Sequence, residues 1–218
     1  DAEKLTVLKN QKGLQWGVYV DVCNMMGQTA HYAWHEYSQA KPGETIFVTA
    51  GTGPGLKVIA SVGSEEKVVF IKSLGMDVVF NYKMECMQDV LACTGPIDIY
   101  WDNIGGGMLG TVIEAESVGM RFIKCGMISA YNGKEPYHMK NLLLIVGKHW
   151  CRLRGHLPTR GGHNHLAHFY EMFPRLVKEG KIKYTEDATR GLERAGHTIV
   201  DVQTGWNTGK SVMIVSEK

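Results

Sequence analysis

The sequence lacks the features of several large protein classes. Its five cysteines are far apart and form no Cys-x-x-Cys pair, which argues against a disulfide framework and against a structural zinc cluster. They are Cys23, Cys86, Cys93, Cys125 and Cys151. No apolar run approaches the roughly 20 residues that span a bilayer. With 24 Lys and Arg against 22 Asp and Glu, the sequence has no basic stripe for nucleic acid, so we expect a cytoplasmic protein without membrane or nucleic-acid partners.

What the sequence does contain is an alternation of strand and helix patterns from residue 45 onward. Short runs rich in Val, Ile and Phe alternate with helical stretches, which predicts an α/β fold with a doubly wound, Rossmann-like parallel sheet. The predicted strands are Thr45–Thr49, Leu56–Val62, Asp77–Asn81, Ile97–Asp102, Arg121–Gly126, Trp150–Gly155 and Ser211–Val215. The predicted helices are Met26–Ala40, Ser64–Leu74, Gly107–Glu116, Lys140–Gly147, His165–Gly180 and Gly191–Val202.

The loop between the first two strands carries a nucleotide-site signature with one part missing. A dinucleotide-binding fold ends its first strand in a Gly-x-Gly-x-x-Gly turn, and the helix that follows directs its N-terminal amides at the cofactor pyrophosphate. Gly51 and Gly53 match the first two glycines of such a turn, and Pro54 follows them. Parallel neighbours need a crossover of about a dozen residues, which this segment is too short to supply. The sequence therefore predicts a sheet whose first crossover helix is missing.

The end of the second strand favours NADP over NAD. A NAD-binding fold places an acid about 20 residues past the glycines, where it binds the ribose hydroxyls. This chain instead has Ser64 followed by Lys67, which would offer a hydroxyl, free amides and a cation to a 2′-phosphate. An equally good interpretation makes Lys67 a solvated lysine of the first helical turn, and Glu65 and Glu66 weaken the electrostatic case.

Two further strands deliver polar and small residues to the carboxyl edge of the sheet, where ligands bind in open α/β folds. Asn103 and three glycines follow the fourth strand, although a tight turn into a helix would use the same residues. The segment after the fifth strand is predicted to line a nicotinamide pocket with Cys125, Gly126, Met127, Ile128, Ser129 and Tyr131. Tyr131 could donate a proton or orient a carbonyl oxygen, or it could be only a packed aromatic. Cys125 is interpreted as a buried small hydrophobe rather than a nucleophile.

Five histidines between residues 149 and 168 raise a metal hypothesis. They are His149, His156, His163, His165 and His168. A zinc site needs ligands that rigid elements and surrounding hydrogen bonds hold in place. Because no Cys or carboxylate partner is apparent nearby, we predict no metal site.

Seven ordered motifs together resemble one family. They are Gly27-Gln-Thr-Ala-His-Tyr-Ala-Trp34, Lys41-Pro-Gly-Glu44, Thr49-Ala-Gly-Thr-Gly-Pro54, Phe80-Asn-Tyr-Lys83, Trp101-Asp-Asn-Ile-Gly-Gly106, Cys125-Gly-Met-Ile-Ser129 with Tyr131-Asn132, and Asn207-Thr-Gly-Lys210. The chain resembles the zinc-free medium-chain reductases, and within them the NADP-dependent alkenal double-bond reductases and prostaglandin reductases, of a fungal type.

The resemblance implies an NADPH-dependent oxidoreductase that reduces the carbon–carbon double bond of α,β-unsaturated aldehydes or ketones. It implies that Lys67 and Tyr82 hold the 2′-phosphate and that Asn103 and the Cys125–Tyr131 loop bind ribose and nicotinamide. It also implies that Asn207 closes the carboxamide side and that Tyr131 helps to protonate the enolate. His156 falls where the family has an aromatic or aliphatic wall against the nicotinamide.

Departures from the family pattern lead to further expectations. Residues 1–24 are expected to be the last strands of the family's N-terminal substrate domain. Residues 25–218 are expected to form the NADP-binding domain, including the C-terminal strands. Either the protein itself lacks this helix, or the helix is present in the protein and absent only from the sequence as given. An intact mass well above 24.3 kDa would indicate the second alternative. A real deletion predicts weak NADPH binding and an exposed apolar sheet face.

Two expectations concern activity and assembly. The alternative function is a catalytically inactive nucleotide-binding or partner-binding protein derived from the same fold. The resemblance also implies a possible homodimer, with Ser117–Gly126 and Trp150–Gly155 as candidate contact regions.

Overall fold

The chain folds into two compact units, which are described separately. One unit is Ala33–Leu157, and the other combines Asp1–Tyr32 with Pro158–Lys218. The computed structural model describes residues 10, 13–49, 56–115, 117–133, 137–139, 141–147, 152–155 and 163–215. Among these residues, no helix is long and apolar enough to cross a membrane.

The first unit, Ala33–Leu157, is built on a parallel sheet of six strands. The strands, numbered in chain order, are β1 (Thr45–Val48), β2 (Lys57–Val62), β3 (Val78–Asn81), β4 (Ile99–Asp102), β5 (Arg121–Lys124) and β6 (Arg152–Gly155). Their order in the sheet is β3-β2-β1-β4-β5-β6, and every pair is parallel. This is the strand order of the doubly wound dinucleotide-binding fold, so the predicted fold class is confirmed.

Helices connect these strands and cover the sheet. They are α3 (Glu65–Ser73), α4 (Met87–Thr94), α5 (Gly106–Ala115), α6 (Ile128–Tyr131) and α7 (Leu144–Gly147). Ser64 is the N-cap of α3, where its side chain accepts a hydrogen bond from the Lys67 amide, because the first amides of a helix have no partner within it. Gly75 follows that helix with φ of +89°, the left-handed conformation that glycine adopts at little cost.

Two apolar clusters fill the two faces of the sheet. One cluster places Phe47, Phe80 and Tyr100 against residues of α4 and α5, and the Phe47 and Tyr100 rings stack with centroids 5.3 Å apart. The other contains Ile46, Val48, Val58, Ala33, Ile99, Trp101 and Ile123. β1, β2, β4 and β5 are therefore buried on both faces, as expected of mainly apolar parallel strands.

The expected exposed apolar sheet face is not found on the described strands. Every residue of β1 is buried, and Ile46 and Val48 are at most 3% exposed. Ala33, Trp34 and Tyr37 pack in the same cluster as these two residues. A π-helical segment, Trp34–Ser38, thus lies against the sheet and buries apolar area that would otherwise face water.

β1 and β2 are parallel neighbours although only residues 49–56 separate them. Thr45 pairs with Lys57 and Val48 with Ala60, so the chain must return along the length of β1 before β2 begins. A fully extended chain spans at most about 3.3–3.6 Å per residue, so a connection with this number of residues can cover the four-residue length of β1. It is too short for a helix of the usual 11 to 12 residues (about three turns), in agreement with the missing crossover helix.

β5 lies inside the large sheet. It belongs to Ser117–Gly126, one of the two candidate dimer-contact regions, and it pairs with β4 on one side and with β6 on the other. Its hydrogen-bonding groups are therefore already used within the sheet. β6, which lies within the second predicted region, Trp150–Gly155, is the edge strand.

The second unit contains helices and a separate two-stranded sheet. Its elements are α1 (Trp16–Val20), α2 (Met25–Ala33, whose last residue belongs to the first unit), α8 (His163–Lys178), β7 (Glu186–Arg190), a 3₁₀ turn (Leu192–Arg194), α9 (Ala195–Thr204) and β8 (Lys210–Ile214). Val18, Tyr19, Cys23 and Val177 form its core. β7 and β8 pair in parallel, with α9 as the crossover between them.

Several details of this unit differ from the sequence expectations. Trp16–Val20 is a helix, whereas residues 1–24 were expected to be strands. Its adjacent residues Val18 and Tyr19 are both buried, which differs from the alternation of a half-buried strand. The strand predicted at Ser211–Val215 pairs with β7 rather than with the large sheet. β7 itself was missed because Glu186–Arg190 has only one apolar residue, Ala188. The assignment of residues 1–24 and 25–218 to two domains remains a prediction.

Two buried carboxylates of this unit lack hydrogen-bond partners among the described residues. They are Asp21, through Oδ2, and Glu186, through Oε1. Asp21 is 3% exposed. Burial, followed by the negative charge of Glu186, raises the pKa of Asp21 from 3.8 to about 6, while Lys210 acts in the opposite direction. The folded chain therefore holds a proton on Asp21 at pH values where the unfolded chain has released it.

Replacement of Asp21 by asparagine is expected to stabilise the protein above pH 6. Because the native state binds more protons between about pH 4 and 6, the free energy of unfolding of the parent protein falls as pH rises through that window. Asn cannot ionise, so Asp21→Asn should raise the free energy of unfolding by about 1–2 kcal/mol at pH 7.5 and by much less at pH 4. Urea denaturation at both pH values measures the difference, and an equal effect at the two values would contradict this account.

Candidate cofactor site

The carboxyl edge of the large sheet brings together most of the predicted site residues that the structure describes. Gly51, Gly53, Pro54 and His156 lie outside the described residues. Asn207 belongs to the second unit and is treated separately. The remaining predicted residues fall into two groups, one after β2 and β3 and one after β4 and β5.

Asn103 is fixed at the end of β4 by hydrogen bonds to the end of β1. Its backbone amide donates to Thr49 Oγ1 at 3.1 Å, and its side-chain Nδ2 donates to the Thr49 carbonyl oxygen at 3.0 Å. The Thr49 hydroxyl in turn donates to the Trp101 carbonyl oxygen at 3.2 Å. This arrangement leaves the side-chain oxygen of Asn103 without a partner among the described residues, so it can accept a hydrogen bond from a ligand hydroxyl or amide.

Asp102 organises the turn that carries Asn103. Its side chain is buried, and Oδ1 accepts hydrogen bonds from the Ile104 amide at 2.9 Å, the Gly105 amide at 2.8 Å and the Tyr100 hydroxyl at 3.1 Å. Oδ2 lies 2.6 Å from Lys124 Nζ. The two amides precede α5, where a negative charge is favourable because it faces the helix N-terminus.

The segment after β5 is tied to the same turn. The Cys125 and Gly126 amides donate to the Asp102 carbonyl oxygen at 2.8 and 3.1 Å. The Ile128 amide donates to the Asn103 carbonyl oxygen, and the Ser129 hydroxyl donates to the Ile104 carbonyl oxygen at 2.6 Å. These bonds hold Cys125–Ser129 alongside Asn103, as predicted. The sequence indicated a loop here, whereas Ile128–Tyr131 forms the short helix α6.

Tyr131 and its neighbours are accessible at this edge. Met127, Ile128 and Tyr131 are 54%, 58% and 62% exposed, and the Tyr131 hydroxyl has no hydrogen bond among the described residues. Cys125 differs, because it packs in the core cluster of Trp101. Burial and the negative charge of Asp102 raise the pKa of the Cys125 thiol to about 12, although Lys124 opposes this shift. Cys125 therefore stays protonated, in agreement with its interpretation as a hydrophobe.

The backbone of Gly126 approaches the turn closely. A Cβ atom added at Gly126 would lie 2.9 Å from the Asn103 carbonyl oxygen, closer than carbon and backbone oxygen normally pack. At Gly107 in the same region, the nearest atom to an added Cβ is the Tyr137 hydroxyl at 3.8 Å, an ordinary contact. Only glycine at position 126 lets the β5 segment and the Asn103 turn meet.

Gly126→Ala should therefore displace the Asn103 turn. We expect a loss of about 1–3 kcal/mol in the free energy of unfolding, the usual cost of forcing extra atoms into a packed site. Gly107→Ala is the matched control and should be neutral or slightly stabilising, because alanine favours the helix by up to about 1 kcal/mol. Thermal unfolding of both variants tests this, and equal melting temperatures would contradict it.

The second group, after β2 and β3, combines a helix N-terminus with an aromatic ring. Tyr82 lies against Gly63, where an added Cβ would be 2.9 Å from the Tyr82 hydroxyl, and the Tyr82 amide donates to the Val62 carbonyl oxygen. Lys67 is half-buried in the first turn of α3, and its ammonium group has no ion-pair partner among the described residues. The Ser64 hydroxyl and Lys67 thus begin α3 directly after β2, and the Tyr82 ring lies against Gly63 in the same connection. These residue types suit an adenosine 2′-phosphate.

The two glutamates of the first turn of α3 are partly engaged. Asn81 Nδ2 donates to Glu65 Oε1 at 2.8 Å, which holds that carboxylate towards β3. The backbone amide of Glu66 and the Ser64 hydroxyl hold the pKa of Glu66 below its usual value. Both carboxylates keep their negative charge in these hydrogen bonds, so the electrostatic objection to an anion near Lys67 remains.

Asn207, in the second unit, makes a local contact. Its Nδ2 donates to the Gly209 carbonyl oxygen at 2.7 Å and its side chain is half-buried. This bond stabilises the turn before β8 and leaves the Asn207 side-chain oxygen available. Its role at the carboxamide remains a prediction.

The arrangement of the described residues fits a dinucleotide. Gly126 supplies a close backbone approach, Asn103 an available acceptor, and Gly63 with Tyr82 a flat surface beside a cation. Sequence analysis did not assign Asp102 and Lys124 to the site. Their only signals were an acid at the end of a buried strand and a lysine that follows two apolar residues, Phe122 and Ile123, in the next one. Among the described residues, no three His, Cys, Asp or Glu side chains are grouped to bind a metal.

Comparisons with known proteins agree with this geometry. Residues 46–156 match the family described as zinc-binding dehydrogenase. The chain is 37% identical to (+)-pulegone reductase from Mentha piperita, over 99% of this chain and 70% of that protein. It is 35% identical to the NADP(+)-dependent 2-alkenal reductase of Nicotiana tabacum, over 96% of this chain and 65% of that protein.

A solved structure also resembles the chain closely. CurA from Vibrio vulnificus, in complex with NADPH, superposes with a TM-score of 0.86 at 28% identity, over 97% of this chain and 68% of CurA. The chain thus spans about two thirds of the length of these proteins. The alignment with pulegone reductase has 240 positions against 218 residues here, so at least 22 positions of that protein have no counterpart. Residues are therefore missing inside this chain relative to that protein.

Proposed function

The chain belongs to the medium-chain reductases of the alkenal double-bond reductase type, within the zinc-binding dehydrogenase family, and from this membership we propose that it carries the NADPH site of an enone or enal reductase. Its substrates are small α,β-unsaturated aldehydes or ketones. The relatives named for pulegone and for 2-alkenals support this substrate class, and CurA with bound NADPH supports the cofactor.

Each group of side chains has a role in this proposal. Lys67 and Tyr82 bind the 2′-phosphate end, and Asn103 with Cys125–Ser129 orients the ribose and nicotinamide. Gly51, Gly53, Pro54, His156 and Asn207 complete the cofactor contacts. When bound, NADPH supplies the hydride that reduces the double bond. Tyr131 donates a hydrogen bond to the carbonyl oxygen and then a proton to the enolate, so that one hydride and one proton are added across the bond.

The observation that carries the proposal is the hydrogen-bonded junction of three strand ends. Hydrogen bonds join the residues at the carboxyl ends of β1, β4 and β5, where open α/β sheets bind ligands. These residues are Thr49 after β1, Asp102 and Asn103 at the end of β4, and Ser129 after β5. The junction leaves the Asn103 side-chain oxygen and the Tyr131 hydroxyl without partners among the described residues. One accepting and one donating group are thus available to a ligand at this edge.

Cofactor titration and turnover test the proposal together. The purified protein is titrated with NADPH by fluorescence, and NADPH absorbance is then followed in the presence of a 2-alkenal. Saturable binding and loss of absorbance are the expected results. Binding of NADPH without turnover would instead favour the inactive nucleotide-binding alternative. Absence of NADPH binding would overturn the proposal.

Lys67 provides a sharper test of cofactor choice. Lys67→Ala should raise the Kd for NADPH by about tenfold or more, the usual effect of losing a hydrogen bond to a charged group. The Kd for NADH, which has no 2′-phosphate, should change little. Lys72→Ala, in the last turn of the same helix, is the control, and an equal effect of the two variants on NADPH would exclude a role for Lys67.

Assembly and location complete the proposal. We infer a homodimer that forms through the edge strand β6, because an unpaired edge offers backbone donors and acceptors to a second copy. Light scattering after size exclusion tests this, and a clean monomer would contradict it.

The cysteines of the described residues, Cys23, Cys86, Cys93 and Cys125, are unpaired, which supports a cytoplasmic location.

A further inference from the structure

Lys124 is an unusual residue for its position. It ends β5, whose neighbouring residues Phe122 and Ile123 are both 1% exposed. Its side chain is 24% exposed, and its ammonium group lies 2.6 Å from Oδ2 of Asp102, a carboxylate that is 1% exposed. A lysine in such a place loses much of its hydration, and it is held there by its ion pair.

The ion pair acts on the turn that carries Asn103. Asp102 accepts the amides of Ile104 and Gly105 through its other oxygen, so the position of its carboxylate fixes the backbone of the turn. The ammonium group also lies directly beneath that turn, since a Cβ added at Gly105 would be 2.8 Å from Lys124 Nζ. Movement of Lys124 would therefore move both the carboxylate and the turn.

We propose that Lys124 is a positioning residue of the cofactor site, whose ion pair with Asp102 holds the Asn103 turn in the conformation that binds the nicotinamide half of NADPH. This inference rests on the proposed function. It assigns to one lysine the coupling between the end of β5 and the turn after β4.

A second ion pair on the same strand supplies a matched control. Arg121 begins β5 and pairs with Glu44 at 2.7 Å, with side chains 12% and 19% exposed. It also donates to the carbonyl oxygens of Ser38 and Gln39. This pair is of similar length and both of its side chains are largely buried, but it lies at the amino end of the strand, away from the cofactor edge. A merely structural role would give the two pairs similar effects.

The experiment compares Lys124→Met, Lys124→Arg and Arg121→Met in the whole chain. Without cofactor, hydrogen–deuterium exchange should accelerate in residues 103–107 of Lys124→Met and remain unchanged there in Arg121→Met. With cofactor, the Kd for NADPH should rise by about tenfold in Lys124→Met only, as expected when a supporting contact is lost. Lys124→Arg, which keeps the charge, should recover most of the affinity.

Two outcomes would overturn the inference. One is unchanged exchange in residues 103–107 of Lys124→Met, and the other is an equal loss of NADPH affinity in Arg121→Met. If Lys124→Met does not fold, Lys124→Gln takes its place in both measurements, because it keeps a donor near Asp102 without the charge. If the parent protein binds no NADPH, the proposed function fails, while the exchange measurement still decides whether Lys124 orders the turn.

Discussion

Asp102→Ala is expected to lower the free energy of unfolding by about 3–5 kcal/mol, the range found when one partner of a buried ion pair is removed. The carboxylate is fully buried and accepts four hydrogen bonds, from Lys124, Tyr100 and two backbone amides. Its removal leaves these donors without an acceptor and leaves the Lys124 charge without its partner. Because a typical domain is stable by only about 5–15 kcal/mol, this loss brings the protein close to unfolding.

The measurement is urea denaturation followed by tryptophan fluorescence, for which Trp101 beside the mutated position is a reporter. Asp98→Ala is the control, because Asp98 Oδ2 accepts one backbone hydrogen bond, from the Thr45 amide at 2.8 Å, at the opposite end of the same strand pair. That variant should lose only about 1 kcal/mol. Similar losses in the two variants would show that the buried network around Asp102 contributes no more than a single hydrogen bond.

Tyr131→Phe is expected to reduce kcat by about 100-fold, the lower range for loss of a positioned general acid. The hydroxyl is exposed at the cofactor edge and has no partner among the described residues, so its removal should leave the fold and the Kd for NADPH unchanged. The ring remains, and with it any packing against the nicotinamide. The effect should therefore appear in turnover and not in binding.

Stopped-flow measurement of NADPH oxidation with a 2-alkenal gives kcat, and fluorescence titration gives the Kd. Tyr137→Phe is the control. Tyr137 is also exposed, but its hydroxyl lies beside α5, 3.8 and 3.7 Å from where Cβ atoms added at Gly107 and Gly110 would stand. Full activity in Tyr131→Phe would remove this residue from the mechanism. A parallel loss in Tyr137→Phe would point to a general effect on the segment after β5.

Much of the fold could be predicted because it depends on local patterns. β1 to β4 are mainly apolar runs, and each of β1 to β6 was placed within three residues of its observed bounds. α3 was predicted together with its N-cap at Ser64 and its end at Gly75, since capping needs only neighbouring residues. α4 and β7 were missed for the converse reason: α4 is short, and Glu186–Arg190 has too few apolar side chains to signal a strand.

The sequence by itself determined the doubly wound sheet, the missing crossover helix and the residues that reach the carboxyl edge, because strand periodicity and chain length are local properties. Only the tertiary structure decided that β8 pairs with β7, that β5 is interior, and that the π-helical segment covers the sheet, because these depend on contacts between distant residues. The same holds for Asp102 and Lys124, which are 22 residues apart in sequence. Their ion pair exists only because β4 and β5 are neighbours, and no local pattern encodes that pairing.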